Sequence, residues 1–317
     1  TTQGGDIAIN AGTTITVETG GAASSNGGDI VYTAETDLIA GDVDASGADS
    51  TTAEGSIVLN AVTGNLTVND QNVDGIALIT NGTGDILVDA GTTIIINASV
   101  VTETGNIAVI ADASVTQSTD VVLTTQGGDI AINAGTTITV EIGGAASSNG
   151  GDIVYTAETD LIAGDMDASG ANSASEGSIV VTSAMGSITL NDTNTDGVAL
   201  ITNGTGDILI DAGALIEINA DVVAEIGNIN VVAIQSVAQN LDVDVTTAGG
   251  DITVVAGTTI TTASGGVTSS AGGNISYIGE SDVIVGDMDA SGADGSIVVT
   301  SAMGSITLND TNTDGVA

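Results

Sequence analysis

The side chains of this sequence that are best suited to chemistry are carboxylates and amides in a recurring pattern. Residues 70–75 read Asp-Gln-Asn-Val-Asp-Gly, and the same D-x-N-x-D-G pattern returns at 192–197 and 310–315. Oxygen ligands at the first, third and fifth positions, followed by glycine, suit a hard cation in a tight turn. The pattern therefore predicts bound calcium, with these ligands: Asp70, Asn72 and Asp74; Asp192, Asn194 and Asp196; Asp310, Asn312 and Asp314.

A purely structural interpretation of the same residues stays open beside the calcium one. The twelfth position holds Asn81 or Asn203, where a complete calcium loop has a bidentate Glu. Asn, Asp and Gly are also the residues that β-turns prefer. A second acidic cluster, D-x-D-x-S-G, begins at Asp42 and returns at Asp165 and Asp287. The carboxylates of both clusters are thus either cation ligands or turn residues.

The charge composition excludes several classes of partner. The chain has 41 Asp and Glu residues and no Lys, Arg or His, which gives a formal net charge of −41. Nucleic acids and anionic lipid surfaces are bound through Lys and Arg, so neither is an expected partner. The sequence contains no long apolar run, and we expect no membrane insertion. The carboxylates need screening by salt or bound cations, because side-chain salt bridges cannot form.

The residue types also argue against catalysis. No His, Cys or Lys is present to act as nucleophile or general base, and no Arg is present to hold an oxyanion. A pair of carboxylates could still hydrolyse a glycoside. Here, however, the carboxylates recur with every repeat, whereas an active site is usually built once. We therefore expect a protein that is not an enzyme.

Long internal repeats organise the chain. Residues 1–18 recur letter for letter at 124–141, and a third copy begins at Thr246. We therefore divide the chain into repeat 1 at 1–123, repeat 2 at 124–245 and a partial repeat 3 at 246–317. The expectation is one continuous solenoid that forms a segment of a longer chain.

A shorter unit recurs inside each large repeat. It consists of Gly, then Asp, Ser or Asn, then an aliphatic residue, one skipped residue and usually another aliphatic residue, as at 5–9. A second strand pattern such as Thr14–Val17 follows in most units. Period-2 alternation rich in β-branched residues predicts strands, and one coil can bury its aliphatic row only by stacking on its neighbours. Glycine, Asn and Asp are assigned to the corners, where a positive φ is often needed.

The predicted fold class is all-β. It is a parallel β-helix (solenoid), right-handed, with about five coils per 122–123-residue repeat. Tyr32, Tyr155 and Tyr277 stand at equivalent positions of the three repeats. We expect them to pack inside their coils rather than to form a binding platform.

The segments GDIAINAGTTITV, GDILVDAGTTIIINA and GDITVVAGTTITT resemble the repeats of filamentous-haemagglutinin-like adhesins and related giant secreted bacterial repeat proteins. The resemblance covers essentially the whole chain. It implies right-handed β-helices, export to the cell surface, and roles in attachment or matrix building.

The functional expectation is a non-catalytic structural segment of an extracellular filament or of a surface-layer or matrix protein. One alternative is the rod-like stalk of a secreted adhesin that displays a binding tip elsewhere. Another is an ice- or glycan-binding solenoid, because Thr-rich strands such as 13–17 could present rows of hydroxyl groups. The expected partners are other copies of the protein, end to end or side by side, and surface glycans.

Overall fold

The computed structural model describes residues 1–47, 55–171, 176–292 and 295–310. Three parallel sheets form a β-solenoid of about 13 turns, which confirms the predicted all-β solenoid. The described residues form no helix, and so none that could cross a membrane. The chain divides into two compact units, Thr1–Tyr155 and Thr156–Ala317. These units do not follow the repeat boundaries read from the sequence.

The first sheet holds the strands that follow the Gly-Asp, Gly-Ser or Gly-Asn unit. Its strands are β1 (Ile7–Ala11), β4 (Ile30–Ala34), β7 (Ile57–Ala61), β10 (Ile86–Ala90), β13 (Ile107–Ala111), β16 (Ile130–Ala134), β19 (Ile153–Ala157), β22 (Ile179–Ser183), β25 (Ile208–Ala212), β28 (Ile229–Ala233), β31 (Ile252–Ala256), β34 (Ile275–Gly279) and β37 (Ile297–Ser301).

The second sheet holds shorter strands with one outward residue each. They are β2 (Ile15–Thr16), β5 (Leu38–Ala40), β8 (Leu66–Val68), β11 (Ile94–Ile96), β14 (Val115–Gln117), β17 (Ile138–Val140), β20 (Leu161–Ala163), β23 (Ile188–Leu190), β26 (Ile216–Ile218), β29 (Val237–Gln239), β32 (Ile260–Thr262), β35 (Val283–Val285) and β38 (Ile306–Leu308).

The third sheet was not recognised in the sequence. Its strands are β3 (Ala22–Ser24), β6 (Asp42–Asp44), β9 (Ile76–Ile79), β12 (Ser99–Val101), β15 (Val122–Thr124), β18 (Ala145–Ser147), β21 (Asp165–Asp167), β24 (Val198–Thr202), β27 (Asp221–Ala224), β30 (Val245–Thr247), β33 (Val267–Ser270) and β36 (Asp287–Asp289). The second acidic cluster of the sequence analysis therefore begins on a strand and not in a turn.

In-register pairing places like residues above one another in the first unit. Ile86 of β10 pairs with Ile57 on one side and Ile107 on the other, and all three side chains are buried. Within a strand such as β7, residues alternate between buried and half-buried positions. Burial of each Ile or Val contributes about 1.5–3 kcal/mol, so the stacked aliphatic row supplies the core.

The second unit repeats this arrangement with its own residues. Ile208 of β25 pairs with Ile179 and with Ile229, and these side chains too are fully buried. The predicted inward row of aliphatic residues is thus confirmed in both units.

The glycine that precedes a first-sheet strand and stacks on an earlier coil is required by close stacking rather than by a left-handed backbone. A Cβ at Gly105 or Gly128 would lie well inside van der Waals contact of the backbone carbonyl of the glycine one coil earlier, and the same holds in the second unit at Gly227 and Gly250. None of these glycines has a positive φ. The expectation that φ governs their choice was therefore wrong here, although it holds at turn positions such as Gly75, with φ of 89°.

The three tyrosines lie inside the coils, as predicted. Tyr32, Tyr155 and Tyr277 are all buried. The Tyr155 hydroxyl donates to Gln117 Oε1 at 3.3 Å, and the Tyr277 hydroxyl shares a 2.6 Å hydrogen bond with Thr268. Burial raises the pKa of Tyr277 to about 12, with the Thr268 hydrogen bond opposing the shift.

Replacement of Gly250 by Ala tests the stacking of the glycines. The new methyl group would overlap the backbone carbonyl of Gly227, which cannot move without disturbing the coil below. We expect Gly250→Ala to lower the free energy of unfolding by about 1–3 kcal/mol or more, measured by urea denaturation.

Gly249→Ala is the matched control. A methyl group there meets the Cγ2 atom of Ile226 at 3.3 Å and the Cα atom of the same residue at 4.0 Å. The Ile226 side chain is half exposed and can move. We expect a change within about 0.5 kcal/mol. Equal effects of the two substitutions would contradict the stacking argument.

Candidate cation site

The first predicted calcium loop lies between β8 and β9 and consists of consecutive turns, each closed by a side-chain hydrogen bond. Asp70 Oδ1 accepts a hydrogen bond from Asn72 N at 2.9 Å, Asn72 Oδ1 accepts one from Asp74 N at 2.9 Å, and Asp74 Oδ1 accepts one from Ile76 N at 2.9 Å. Each of the three side chains thus closes a turn onto the backbone two residues ahead. The turn interpretation accounts for the D-x-N-x-D spacing without a metal.

Asp70 makes further backbone contacts that hold it ionised. Its Oδ2 atom accepts from Gly75 N at 2.7 Å, and its Oδ1 atom accepts from Val73 N at 2.6 Å. Partial desolvation opposes ionisation, but these backbone N–H groups together hold the pKa of Asp70 below its ordinary value. The backbone N–H groups therefore favour the ionised form of the Asp70 carboxyl group.

The second copy repeats four of these hydrogen bonds. Asp192 Oδ1 accepts from Thr195 N at 2.5 Å, and Asp192 Oδ2 accepts from Gly197 N at 2.8 Å. Asn194 Oδ1 accepts from Asp196 N at 2.8 Å, and Asp196 Oδ1 accepts from Val198 N at 2.9 Å. In the third copy, Asp310 is described, whereas Asn312 and Asp314 lie outside the described residues.

Stacking of the coils brings together the two acidic clusters, which are separate in the sequence. Asp42 opens β6, one coil before the loop at 70–75, and its Oδ1 atom accepts from Gln71 N at 3.0 Å. We name the group of Asp42, Asp70, Asn72 and Asp74 the first acidic junction. The corresponding second acidic junction consists of Asp165, Asp192, Asn194 and Asp196.

The second acidic junction gathers three carboxylates closely. One oxygen each from Asp165, Asp192 and Asp196 lies within 4.8 Å of the others, the one such group in the part of the chain that the structure describes. Thr193 donates its hydroxyl to Asp165 Oδ2 at 2.8 Å. Desolvation first, and the charges of Asp192 and Asp196 next, raise the pKa of Asp165, although the Thr193 hydrogen bonds oppose this.

The first acidic junction differs because Gln71 stands where the second has Thr193. Asp42 is only 8% exposed, and its Oδ2 atom is buried without a hydrogen-bond partner in the described structure. Asp42, Asn72 and Asp74 line a cleft of about 210 Å³ whose other walls include Asp44 and aliphatic residues. Desolvation raises the pKa of Asp42, and the nearby charges of Asp70 and Asp74 raise it further, whereas the backbone N–H groups of Gln71 and, to a smaller extent, Asn72 lower it.

A second row of polar side chains explains why the residue after each stacked glycine is Asp, Asn or Ser. Each of these side chains accepts a hydrogen bond from the backbone N–H of its counterpart one coil later. In the first unit the acceptor–donor pairs are Asp6–Asp29, Asp29–Ser56, Ser56–Asp85, Asp85–Asn106, Asn106–Asp129 and Asp129–Asp152. Exposed carboxylates such as Asp129 thus have a structural role.

A larger groove in the second unit has a different character. It encloses about 490 Å³ and has apolar walls that include Ile201 and Val223. Glu225 is the one carboxylate among its described lining residues, and Glu225 Oε2 accepts from Gly204 N at 2.7 Å. The paired carboxylates that glycoside hydrolysis requires do not line this groove among the described residues.

Comparison of the chain with models of known protein families, with curated proteins and with solved structures found no match. The acidic junctions are therefore interpreted from their own geometry.

Replacement of Asp42 by Asn tests the electrostatic strain at the first acidic junction. Because the pKa of Asp42 is raised in the folded state, its ionised form destabilises the fold at neutral pH. We expect Asp42→Asn to raise the free energy of unfolding at pH 7 in metal-free buffer. The gain should shrink as the pH falls through the raised pKa toward the ordinary value, because wild-type Asp42 then becomes neutral. Urea denaturation across this pH range measures it.

Asp129→Asn is the matched control, since it removes one charge and keeps the acceptor for Asp152 N. It lowers the general repulsion of the chain by the same one charge. A gain at pH 7 as large as that of Asp42→Asn would show that the local environment of Asp42 is not the cause.

Proposed function

We propose that this chain is a non-catalytic structural segment of an extracellular filament or of a surface-layer or matrix protein. The observation that carries the proposal is the equivalence of successive coils. In the first unit, each coil presents the same backbone N–H and C=O rows and the same aliphatic row to both of its neighbours, as the pairings of β10 with β7 and with β13 illustrate. A molecule built this way extends by adding further coils of the same kind.

The regularity of the surface supports a structural role over a catalytic one. The acceptors after the stacked glycines recur at every coil of the first unit, and the acidic junctions recur in both units. A catalytic site needs a single departure from such regularity, where groups of different pKa meet. A repeating surface suits repeated contacts with other copies of the chain.

Self-association is the proposed partner interaction, because a coil is complementary to a like coil. Val283 of β35 is fully buried because a coil pairs with it on each side, and end-to-end contact would extend the same stacking from one copy to the next. Side-by-side contacts require the carboxylates of both copies to be screened.

An extracellular location is part of the proposal. It is supported by the resemblance of segments such as GDIAINAGTTITV to the repeats of secreted bacterial adhesins. The stalk of an adhesin shares the fold and the location with a filament. The two differ in whether copies associate with each other.

Electron microscopy with analytical ultracentrifugation tests this proposal. At about 0.15 M salt, where the Debye length is about 8 Å, we expect the purified chain to form filaments or lateral bundles in a concentration-dependent way. Single particles that sediment as monomers at every concentration would favour the adhesin stalk and contradict the filament assignment. Hydrolysis of a glycan by the purified chain would contradict the non-catalytic role.

A further inference from the structure

We propose that the first acidic junction binds a divalent cation, calcium by its coordination chemistry, and that the bound ion ties two adjacent coils together. The inference goes beyond the structural role proposed above, because a solenoid segment needs no metal. The ligands come from two coils, with Asp42 of one coil facing the loop at 70–75 of the next.

The main observation is the buried, unpartnered oxygen of Asp42. Its Oδ1 atom accepts the Gln71 N–H, but its Oδ2 atom is buried and accepts no hydrogen bond in the described structure. An unpaired carboxylate oxygen that is shielded from water costs free energy unless a charge or donor compensates it. The chain has no Lys, Arg or His to provide that charge. A cation in the cleft would provide it.

The other carboxylates near the cleft are acceptors as well. The Oδ1 atom of Asp74 accepts a hydrogen bond from Ile76 N. The Oδ2 atom of Asp74 accepts none from the described residues. Asn72 and Asp74 line the same cleft as Asp42. Asp70 adds a third negative charge that is held ionised by backbone N–H groups. The cleft therefore holds several negative charges that no positive side chain compensates.

The second acidic junction shows a closer spacing of carboxylates than the first, which does not bring three of them together in this way in the described structure. Three oxygens that all lie within 4.8 Å of one another fit around a centre about 2.8 Å from each. Calcium binds oxygen at about 2.3–2.6 Å, so at this spacing a small inward movement would complete three of its ligands. The carboxylates of the first acidic junction would have to turn further toward a bound ion to reach the same arrangement. Magnesium needs about 2.0–2.1 Å and near-octahedral geometry, which makes it the poorer fit.

The consequence of binding is mechanical. Asp42 and the loop at 70–75 belong to successive coils, so an ion bound to both adds a link that is absent from the backbone pairing. It also neutralises the repulsion between Asp42 and the two carboxylates of the loop. In the second acidic junction, the Thr193 hydroxyl already supplies one such link to Asp165.

Isothermal titration calorimetry of the full chain with calcium chloride tests the proposal, in about 0.15 M sodium chloride so that diffuse counterion binding is screened. We expect saturable calcium binding. Asp42→Asn should reduce the number of bound ions by one per chain, or weaken one class of sites roughly tenfold or more. Asp129→Asn, which removes an equal charge outside the cleft, should leave stoichiometry and affinity unchanged.

Thermal melting gives a second readout that does not depend on the heat of binding. Calcium should raise the melting temperature of the wild type and of Asp129→Asn by more than sodium at matched ionic strength, because a ligand that binds only the folded state stabilises it. Asp42→Asn should lose part of this calcium response while it remains folded by circular dichroism.

Three results would overturn the inference. One is the absence of saturable calcium binding by the wild type. Another is an unchanged stoichiometry and affinity in Asp42→Asn. The last is an equal loss of binding in Asp42→Asn and Asp129→Asn, which would mean that calcium only screens the chain as a whole.

Discussion

Parallel, in-register stacking of successive coils, about 4.8 Å apart, is the constraint on which the other features of this protein depend. At that spacing a glycine one coil above another leaves no room for a Cβ, as Gly105 above Gly84 shows. The next position must offer an acceptor to the coil above, and Asp85 does so for Asn106 N at 2.7 Å. The residue after that must be aliphatic, because it extends the buried row. The recurring Gly-Asp-Ile unit thus meets three requirements of the same stacking, one at each position.

The same constraint makes charge costly in this fold. Stacking places like residues together, which benefits Ile and Val but brings carboxylates within reach of one another. Desolvation, followed by the charge of Asp112 one coil away, raises the pKa of Asp89. Desolvation and the charge of Asp244 raise the pKa of Asp221 in the second unit. A chain with 41 carboxylates and no basic side chain can relieve this repulsion only through ions from solution.

The sequence predicted the fold well because one coil resembles the next. The spacing of aliphatic residues identified the strands of the first sheet, from Ile7 to Ile297, and the inward position of Tyr155 followed from its place in the repeat. The third sheet was missed because its strands are short and weakly alternating, as in the Ala22–Ser24 strand.

The candidate site was predicted only in part, for a different reason. The D-x-N-x-D-G pattern located the loop at 70–75, but a local pattern cannot show which residue of the previous coil faces it. Asp42 precedes Asp70 by a stretch that includes an insertion of variable length, so only the stacking register brings them together. The reason for the stacked glycines could not be predicted either, because the sequence of one coil does not show how closely the backbone of the neighbouring coil approaches.

The most direct test of the stacking register is to measure how far apart equivalent positions of successive repeats lie, because that distance gives the number of coils between them. Ala8 and Ala131 occupy the same outward position of strands β1 and β16, and the chain contains no Cys, so nitroxide labels on Ala8→Cys and Ala131→Cys would be the only ones present. Five coils separate the two positions, and double electron–electron resonance should give a single distance near 24 Å, broadened by the label tethers. A distance near 19 or 29 Å, corresponding to about four or six coils, or no defined distance, would contradict the account.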